Sequence, residues 1–330
     1  MNDQSTVSTV SSGLQLTRKQ WAAEILQKYG LFIFLLILII VASVTTDAFL
    51  TVANIRDVVK QASPLAIVAL GQTLVIISGG LDLSVASLMA TSAVAATAIG
   101  GYNNAMAVPV IIVVMIMGLC VGGFNGWLVT NRKVSPFLAT LATMIVLQGI
   151  RFAYTGGAPS QALSSHLRAI GKDTLGPIPL DFIPLVVLTG IIALVLYRSS
   201  YGRKLYLVGG NPRASFLAGI NSNWIITVAY MICGVLAAIA GIVLVGYVGN
   251  IDNWVGRGME LNSIAAVIMG GATFSGGRGG IWGTLAGVFV LAIVFNYLLL
   301  LGLPSEVQYL VQGAVIILAS AAYVSRSKSS

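Results

Sequence analysis

Two acidic residues stand where an apolar chain tolerates them least. Asp82 lies in Gly80-Leu81-Asp82-Leu83-Ser84 and Glu260 in Gly258-Met259-Glu260-Leu261-Asn262, each expected one turn into an apolar helix beside a small polar residue. A carboxylate at the centre of a membrane span costs roughly 2.5–3.5 kcal/mol on insertion scales, so such groups face a polar interior, pair, or cap a helix. A helix start lowers that cost, because its free N–H groups and dipole favour an anion. Two roles follow for these acids and their neighbours Ser84 and Asn262: fixing the geometry of re-entry into the membrane, or gating and lining a pathway. Other chemistry is poorly provided for. His166, the only histidine, has no general-base companions, and Cys120 and Cys233 are isolated in apolar runs, without the spacing of a disulfide framework or metal site. No phosphate-binding G-x-x-x-x-G-K-[ST] loop occurs: Gly202-Arg203-Lys204 lacks the leading glycine, and Gly171-Lys172 is followed by Asp173. No G-x-S-x-G elbow occurs either. The chain is therefore expected to be no enzyme and to carry no cofactor.

The elements that hold these residues are membrane spans. Of 330 residues 57% are hydrophobic and 8% charged, against roughly 25% charged in soluble domains. Each span needs about 20 apolar residues, and the sequence divides into about ten: Leu31 to Val44, Ala62 to Ser78, Leu83 to Ile99, Ala105 to Thr130, Pro136 to Tyr154, Phe182 to Tyr197, Trp224 to Val248, Leu261 to Ala272, Ile281 to Leu301 and Val307 to Val324. The expectation is an all-α integral membrane protein, a single transmembrane domain over 31–324. A polar tail over 1–30 precedes it, an external loop over 155–181 interrupts it, and a short tail over 325–330 follows. A polar stretch with Asp47, Arg56, Asp57 and Lys60 separates the first two spans, and Gly79-Gly80 makes a sharp turn after the second.

Sidedness follows from Lys and Arg. With the first tail cytoplasmic, about twelve basic residues fall inside and five outside (Arg56, Lys60, Arg168, Lys172, Arg257), Arg151 near the outer end of a span being left uncounted. The positive-inside rule thus puts both termini in the cytoplasm. The net charge of +8 reflects this topology, not nucleic-acid binding, since no basic patch forms. The likeness between the Asp82 and Glu260 segments, separated by an odd number of spans, suggests an inverted repeat with its halves on opposite sides of the membrane. Glycines at helical spacing, such as Gly118, Gly122 and Gly126 or Gly283 and Gly287, read as close helix contacts.

The polar segment 198–222 is the most informative. After a glycine turn at Gly209-Gly210, Asn211-Pro212 opens a helix with Asn as N-cap and Pro in the first turn. Two turns later Gly219 closes it. Phe216 and Leu217 on an exposed cytoplasmic helix call for a partner surface, the bilayer interface being the other candidate.

Here the sequence resembles the permease subunits of ribose-type sugar ABC importers, the ribose, xylose, galactose and arabinose group. Three stretches carry the likeness: Ser78-Gly79-Gly80-Leu81-Asp82-Leu83-Ser84-Val85; Gly202-Arg203 with Gly209-Gly210-Asn211 through Gly219-Ile220-Asn221; and Glu260-Leu261-Asn262-Ser263 through Met269-Gly270-Gly271 to Gly276-Gly277-Arg278-Gly279. The resemblance spans about Leu31 to Ser320. It implies a bacterial inner-membrane permease that moves a small sugar, such as a monosaccharide, by alternating access in a homodimer. The implied partners are a cytoplasmic ATP-binding subunit, which holds the ATP, and a periplasmic substrate-binding protein. It also implies that the 198–222 segment carries a coupling helix touching the ATPase through Asn211, Ala214, Gly219 and Ile220. Ser215 departs from the alanine usual in relatives, which bears on the fine fit to the ATPase. The competing expectation is an ion-coupled secondary transporter using Asp82 and Glu260.

Overall fold

The computed structural model describes residues 18–159, 162–304, 306–311, 313, 314 and 317. The first helix, α1 (Arg18–Thr45), takes in the later part of the segment read as a tail. Residues 1–17, most of the last expected span, and the tail over 325–330 lie outside the described residues.

The next helix, α2 (Val52–Ile77), begins ten residues before the expected span. Thr51 caps it by accepting from the Asn54 N–H. Arg56, Asp57 and Lys60 therefore lie on its first turns and not in a loop, because the cap and an unbroken hydrogen-bond ladder outweigh their polarity. Arg56 and Lys60 reach out to the carbonyls of Pro177, Gly176 and Lys172, so this end of α2 and the 155–181 segment share one face of the protein.

Then come α3 (Val85–Ala95), which ends in a π turn over Ala96–Gly100, α4 (Ala107–Thr130) and α5 (Pro136–Thr155). The expected external loop is folded: α6 (Ser165–Lys172) packs on the tenth helix, and two short antiparallel strands, β1 (Thr174–Leu175) and β2 (Ile178–Pro179), follow it. Gly171 of α6 lies so close to Gly246 and Tyr247 that any Cβ would strike their backbone, and the helix buries Leu167 and turns Ile170 into the core beside it.

After α7 (Phe182–Arg198) the chain bends by 69° into α8 (Ser200–Gly210), then runs through α9 (Pro212–Leu217), α10 (Ser222–Val248), α11 (Met259–Met269) and α12 (Ile281–Leu300). Among the described residues five helices are long and apolar enough to cross a bilayer, or six counting the bent α7–α8 pair.

Packing sorts these helices. The most apolar window of α2 is 89% buried inside the protein and that of α10 72%, whereas those of α4 and α5 are only 28% buried. α2 and α10 are thus the central pair, and the outer helices turn Leu36, Ile40, Ile116, Val146, Ile150 and Leu194 outward, a surface that only hydrocarbon can cover. Contact inside is made by small residues and a few polar pairs, since lipid gives helices no hydrophobic drive to associate. Gly118, Gly122 and Gly126 of α4 abut Gly234, Tyr230 and Thr227 of α10, and Gly283 and Gly287 of α12 abut Gly270 and Ala266. Asn54 and Asn296 exchange two amide hydrogen bonds of 3.0 and 2.8 Å, and Thr73 meets Thr284 at 2.8 Å, tying α2 to α12.

Candidate functional site: a polar cleft and a short exposed helix

Leu81 to Ser84 are not helical. They form a lead into α3 that is buried one to two turns inside the ends of its neighbours. Leu83 donates its N–H to Thr140, the fifth residue of α5, at 3.1 Å, and Tyr230, the ninth of α10, donates its hydroxyl to the Leu81 carbonyl, also at 3.1 Å. Asp82 therefore precedes α3 instead of lying one turn inside it. Gly79, at φ +84°, reverses the chain after α2, and a further Cβ at Gly80 would meet the Tyr230 hydroxyl. Irregular backbone, not helix, fills this narrow passage.

Asp82 is 1% exposed. Its Oδ1 accepts from the N–H of Ser84 at 2.9 Å and from the Ser84 hydroxyl at 2.6 Å. Asn125 of α4 donates to that hydroxyl at 2.9 Å and accepts from Thr143 of α5 at 2.6 Å. With its amide turned to satisfy both ends, Gln72 of α2 donates to the Asp82 carbonyl and accepts from its N–H, each at 3.2 Å. Four helices, α2, α4, α5 and α10, thus brace one irregular stretch, supplying the partners that buried backbone needs.

α11 has a similar origin. Residues 249–258 are irregular and fold inward, with Gly256 beside Ala86 and Met89 of α3 and Leu244 of α10. Gly258, at φ +89°, starts the helix, and Glu260, its second residue, turns back to accept from the Gly258 N–H at 3.0 Å. Asn262 is half-buried two residues on.

The two helix starts meet: Ala86, Ser87 and Glu260 line one cleft of about 310 Å³. From there the helices diverge. The far end of α3 reaches Tyr154, Thr155 and Ile251, while the chain leaving α11 reaches Gly79, Gly209 and Ile77, where Gly277 donates to the Ile77 carbonyl at 2.8 Å. At 11 residues α11 is about 16 Å long, half the hydrocarbon thickness, and α3 with its π turn runs over Val85–Gly100, still short of a full span.

Arg151 was set aside in the charge count, yet it is central here. It is 4% exposed and donates to the Ser87 carbonyl at 2.7 Å, to Thr91 at 3.2 Å and to the Asn253 carbonyl at 3.3 Å. Gln148, Asn253, Trp254 and Arg257 line the same cleft. The signal in the sequence was a lone arginine in a 20-residue apolar span, whose burial is expensive enough to imply a function. The loop residues gave no such sign.

On the opposite face α8 is locked against the ends of three elements. Tyr206 donates to the Gly279 carbonyl at 2.8 Å, Tyr201 to the Ile225 carbonyl at 3.1 Å, and Gly209 lies directly on the Ile77 carbonyl. Gly209 and Gly210 are helical, not a turn, and at Gly209 only a hydrogen side chain allows this approach. Asn211 then caps α9 by accepting from the Ala214 N–H at 2.9 Å. Ala218 ends that helix, and Gly219 follows at φ +76°. Asn211, Ala214 and Gly219 are exposed and Ile220 half-buried. Phe216 and Leu217, at 72% and 82% exposure, are uncovered. Ser215 is buried, so its departure from alanine faces the protein itself and not the exposed side.

Comparison with known proteins follows the same lines. Residues 54–320 match the family described as branched-chain amino acid transport system / permease component. The ribose import permease protein RbsC of Escherichia coli K12 is 38% identical over 320 residues, 95% of this chain and 97% of that one. The same-named protein of Bacillus subtilis 168 is 37% identical over 299 residues, 89% and 92% of the two chains. The galactose/methyl galactoside import permease protein MglC of Escherichia coli K12 is 31% identical over 314 residues, 90% and 94%. No solved structure gives a significant match.

Proposed function

The chain belongs to this family of transport-system permease components, and on that premise we propose that it forms the membrane channel of a binding-protein-dependent ABC importer for a monosaccharide. It is a multi-pass protein of the bacterial inner membrane and a transport component, not a catalyst. Its partners are an ATP-binding subunit and a substrate-binding protein. The cargo class rests on the ribose and galactose relatives, each matched along nearly its whole length, although the family description names amino acids.

The observation that carries the mechanism is the meeting of two short helices at a polar cleft, with α8 and α9 attached to the far end of α2. Discontinuous helices of this kind place a transporter's site at depth and let each half move against the other. We read α9 as the helix that docks on the ATPase through Asn211, Ala214, Gly219 and Ile220, with Phe216 and Leu217 as its apolar anchors. ATP is bound by that partner, and two copies of this chain form the translocating unit. Movement of α9 is passed through α8 to the Ile77 carbonyl, and from there along Gly79–Ser84 to the start of α3. Asp82 and Ser84 keep that lead in register, Glu260 faces the cleft, and Asn262 stands beside it. The family match displaces the ion-coupled reading.

The test is reconstitution. Purification in mild detergent should bring down a subunit with a phosphate-binding loop, and proteoliposomes holding both, with the binding protein, should concentrate ribose, xylose or galactose only when ATP is enclosed on the ATPase side. Accumulation that needs a proton or sodium gradient and no ATP would refute the proposal.

A further inference from the structure

The cleft between the starts of α3 and α11 contains polar atoms with nothing to bind. Arg151 Nε and Asn253 Oδ1 are both buried without a hydrogen-bond partner, although their residues, 4% and 3% exposed, line the cleft. The first is a donor and the second an acceptor. Leaving a buried polar group unmatched is costly, and more so for a charged one. The other hydrogen bonds of Arg151 go to neutral oxygens of Ser87, Thr91 and Asn253, so among the described residues its charge stays unpaired.

The rest of the lining is built to a pattern. Trp254 is half-exposed and held by two contacts, edge-on against Phe152 at 5.5 Å and beneath the Arg257 guanidinium at 4.9 Å from its ring centre. A ring fixed in this way offers a flat apolar platform. Gln148 supplies an amide that both donates and accepts, and Glu260 a carboxylate with acceptor sites beyond the one that takes the Gly258 N–H. The volume of about 310 Å³ lies at the lower end of small-molecule sites, roughly 300–1,000 Å³.

We infer that this cleft is the permease's own site for a single monosaccharide, held by Gln148, Arg151, Asn253 and Glu260 with its apolar face on Trp254. The inference rests on the importer reading above and goes beyond it by locating the cargo within this chain. A sugar hydroxyl both donates and accepts, so hydroxyls in the cleft match the Gln148 amide and the Glu260 carboxylate, and a turn of the Arg151 and Asn253 side chains toward the cleft would bring their unmatched Nε and Oδ1 to two more. Adjacent hydroxyls match the two oxygens of Glu260. A sugar ring presents C–H groups on one face, which is what a fixed indole can cover. Because the sugar must also leave, binding is weak, and a platform with few direct contacts achieves that.

The experiment uses the complete importer in proteoliposomes and the purified chain in nanodiscs. Gln148→Leu and Trp254→Leu, both at partly accessible positions, should each cut maximal uptake of the transported sugar about 10-fold, the loss of one good contact. ATP hydrolysis stimulated by the binding protein should stay within about twofold, which a merely misfolded or unassembled permease would not show. Saturation-transfer NMR on nanodiscs, with ribose, xylose and galactose as probes, should detect the transported sugar on the wild-type chain and lose the signal in both variants. Wild-type uptake in both variants, with unchanged NMR signals, would overturn the site while leaving the importer reading intact. Wild-type complexes that move leucine and no monosaccharide would overturn both. Arg151→Lys serves as a third variant, and full uptake by it would remove the guanidinium from the site.

Discussion

The charge of Asp82 is dispensable if its work is to hold the lead into α3. Its Oδ1 accepts two hydrogen bonds from Ser84, and an amide oxygen can accept both. Asp82→Asn should therefore keep uptake within about twofold and stability nearly unchanged. Asp82→Ala strands the Ser84 N–H and hydroxyl in a dry site, at a cost of about 1–3 kcal/mol, and should lower the thermal unfolding midpoint in detergent. Ser84→Ala should cost a similar amount, because it leaves Asn125 Nδ2 without its acceptor as well. Uptake abolished by Asp82→Asn in a protein of normal stability would assign the carboxylate to gating. Asp82 and Ser84 could be picked out of the sequence because ionisable groups in apolar runs are expensive. Asn125, Thr140 and Thr143, which complete the network, could not: single neutral polar residues in spans are common, and only the fold brings them to the same point. Arg151 fell between these cases, a strong signal set aside because it lay near an expected membrane boundary.

At the scale of elements, the long helices were legible to within a few residues because lipid demands continuous apolar runs. The boundaries of α4, α5, α7, α10 and α12 lie within two residues of those expected. The places where the expectation failed are those where the backbone is held by tertiary contact. The polar start of α2, the irregular leads into α3 and α11, and the helical Gly209-Gly210 pair all depend on neighbours that apolarity does not reveal. α9 is different, since Asn-Pro at one end and Gly at the other specify it locally, and Gly219 gives a clean test. Its φ of +76° excludes β-branched residues, yet a Cβ there would meet nothing within 4 Å. Within this chain any defect must then come from backbone strain, about 1–3 kcal/mol, and the asparagine variant separates strain from a clash with the partner. Gly219→Val should insert normally but uncouple, with uptake reduced at least 10-fold at unchanged membrane levels. Gly219→Asn should retain most activity, because asparagine tolerates this conformation. Equal activity in both variants would show that the end of α9 does not transmit motion. Gly209→Ala tests the next link. Its methyl would strike the Ile77 carbonyl, so α8 must move or α2 must yield, and an assembled complex should hydrolyse ATP without importing sugar.

For the molecule as a whole, the chain's path through the bilayer decides whether these links connect opposite faces. Ten crossings result if the six long helices, the bent α7–α8 pair counted as one, are joined by α1, by α3 and α11, each completing a crossing begun by irregular backbone (Leu81–Ser84 in one case and 249–258 in the other), and by the last expected span, most of which lies outside the described residues. Contacts agree on which ends lie together: Arg56 and Lys60 with the 172–177 turn on one face, and Ile77, Gly209 and Gly277 on the other. The excess of Lys and Arg puts the second face in the cytoplasm. Cysteine labelling can decide it. Cys233 is buried, so Cys120→Ser leaves no accessible thiol among the described residues. In that background Asp173→Cys should react with an impermeant maleimide on intact spheroplasts, and Arg213→Cys only after the membrane is inverted. An alkaline phosphatase fused after Ser330 should stay inactive, as an even number of crossings requires with the first residues inside. If Arg213→Cys labelled from outside, α9 would face the wrong compartment to meet an ATPase, and the route from α9 through α8 to the cleft could not carry the energy of ATP.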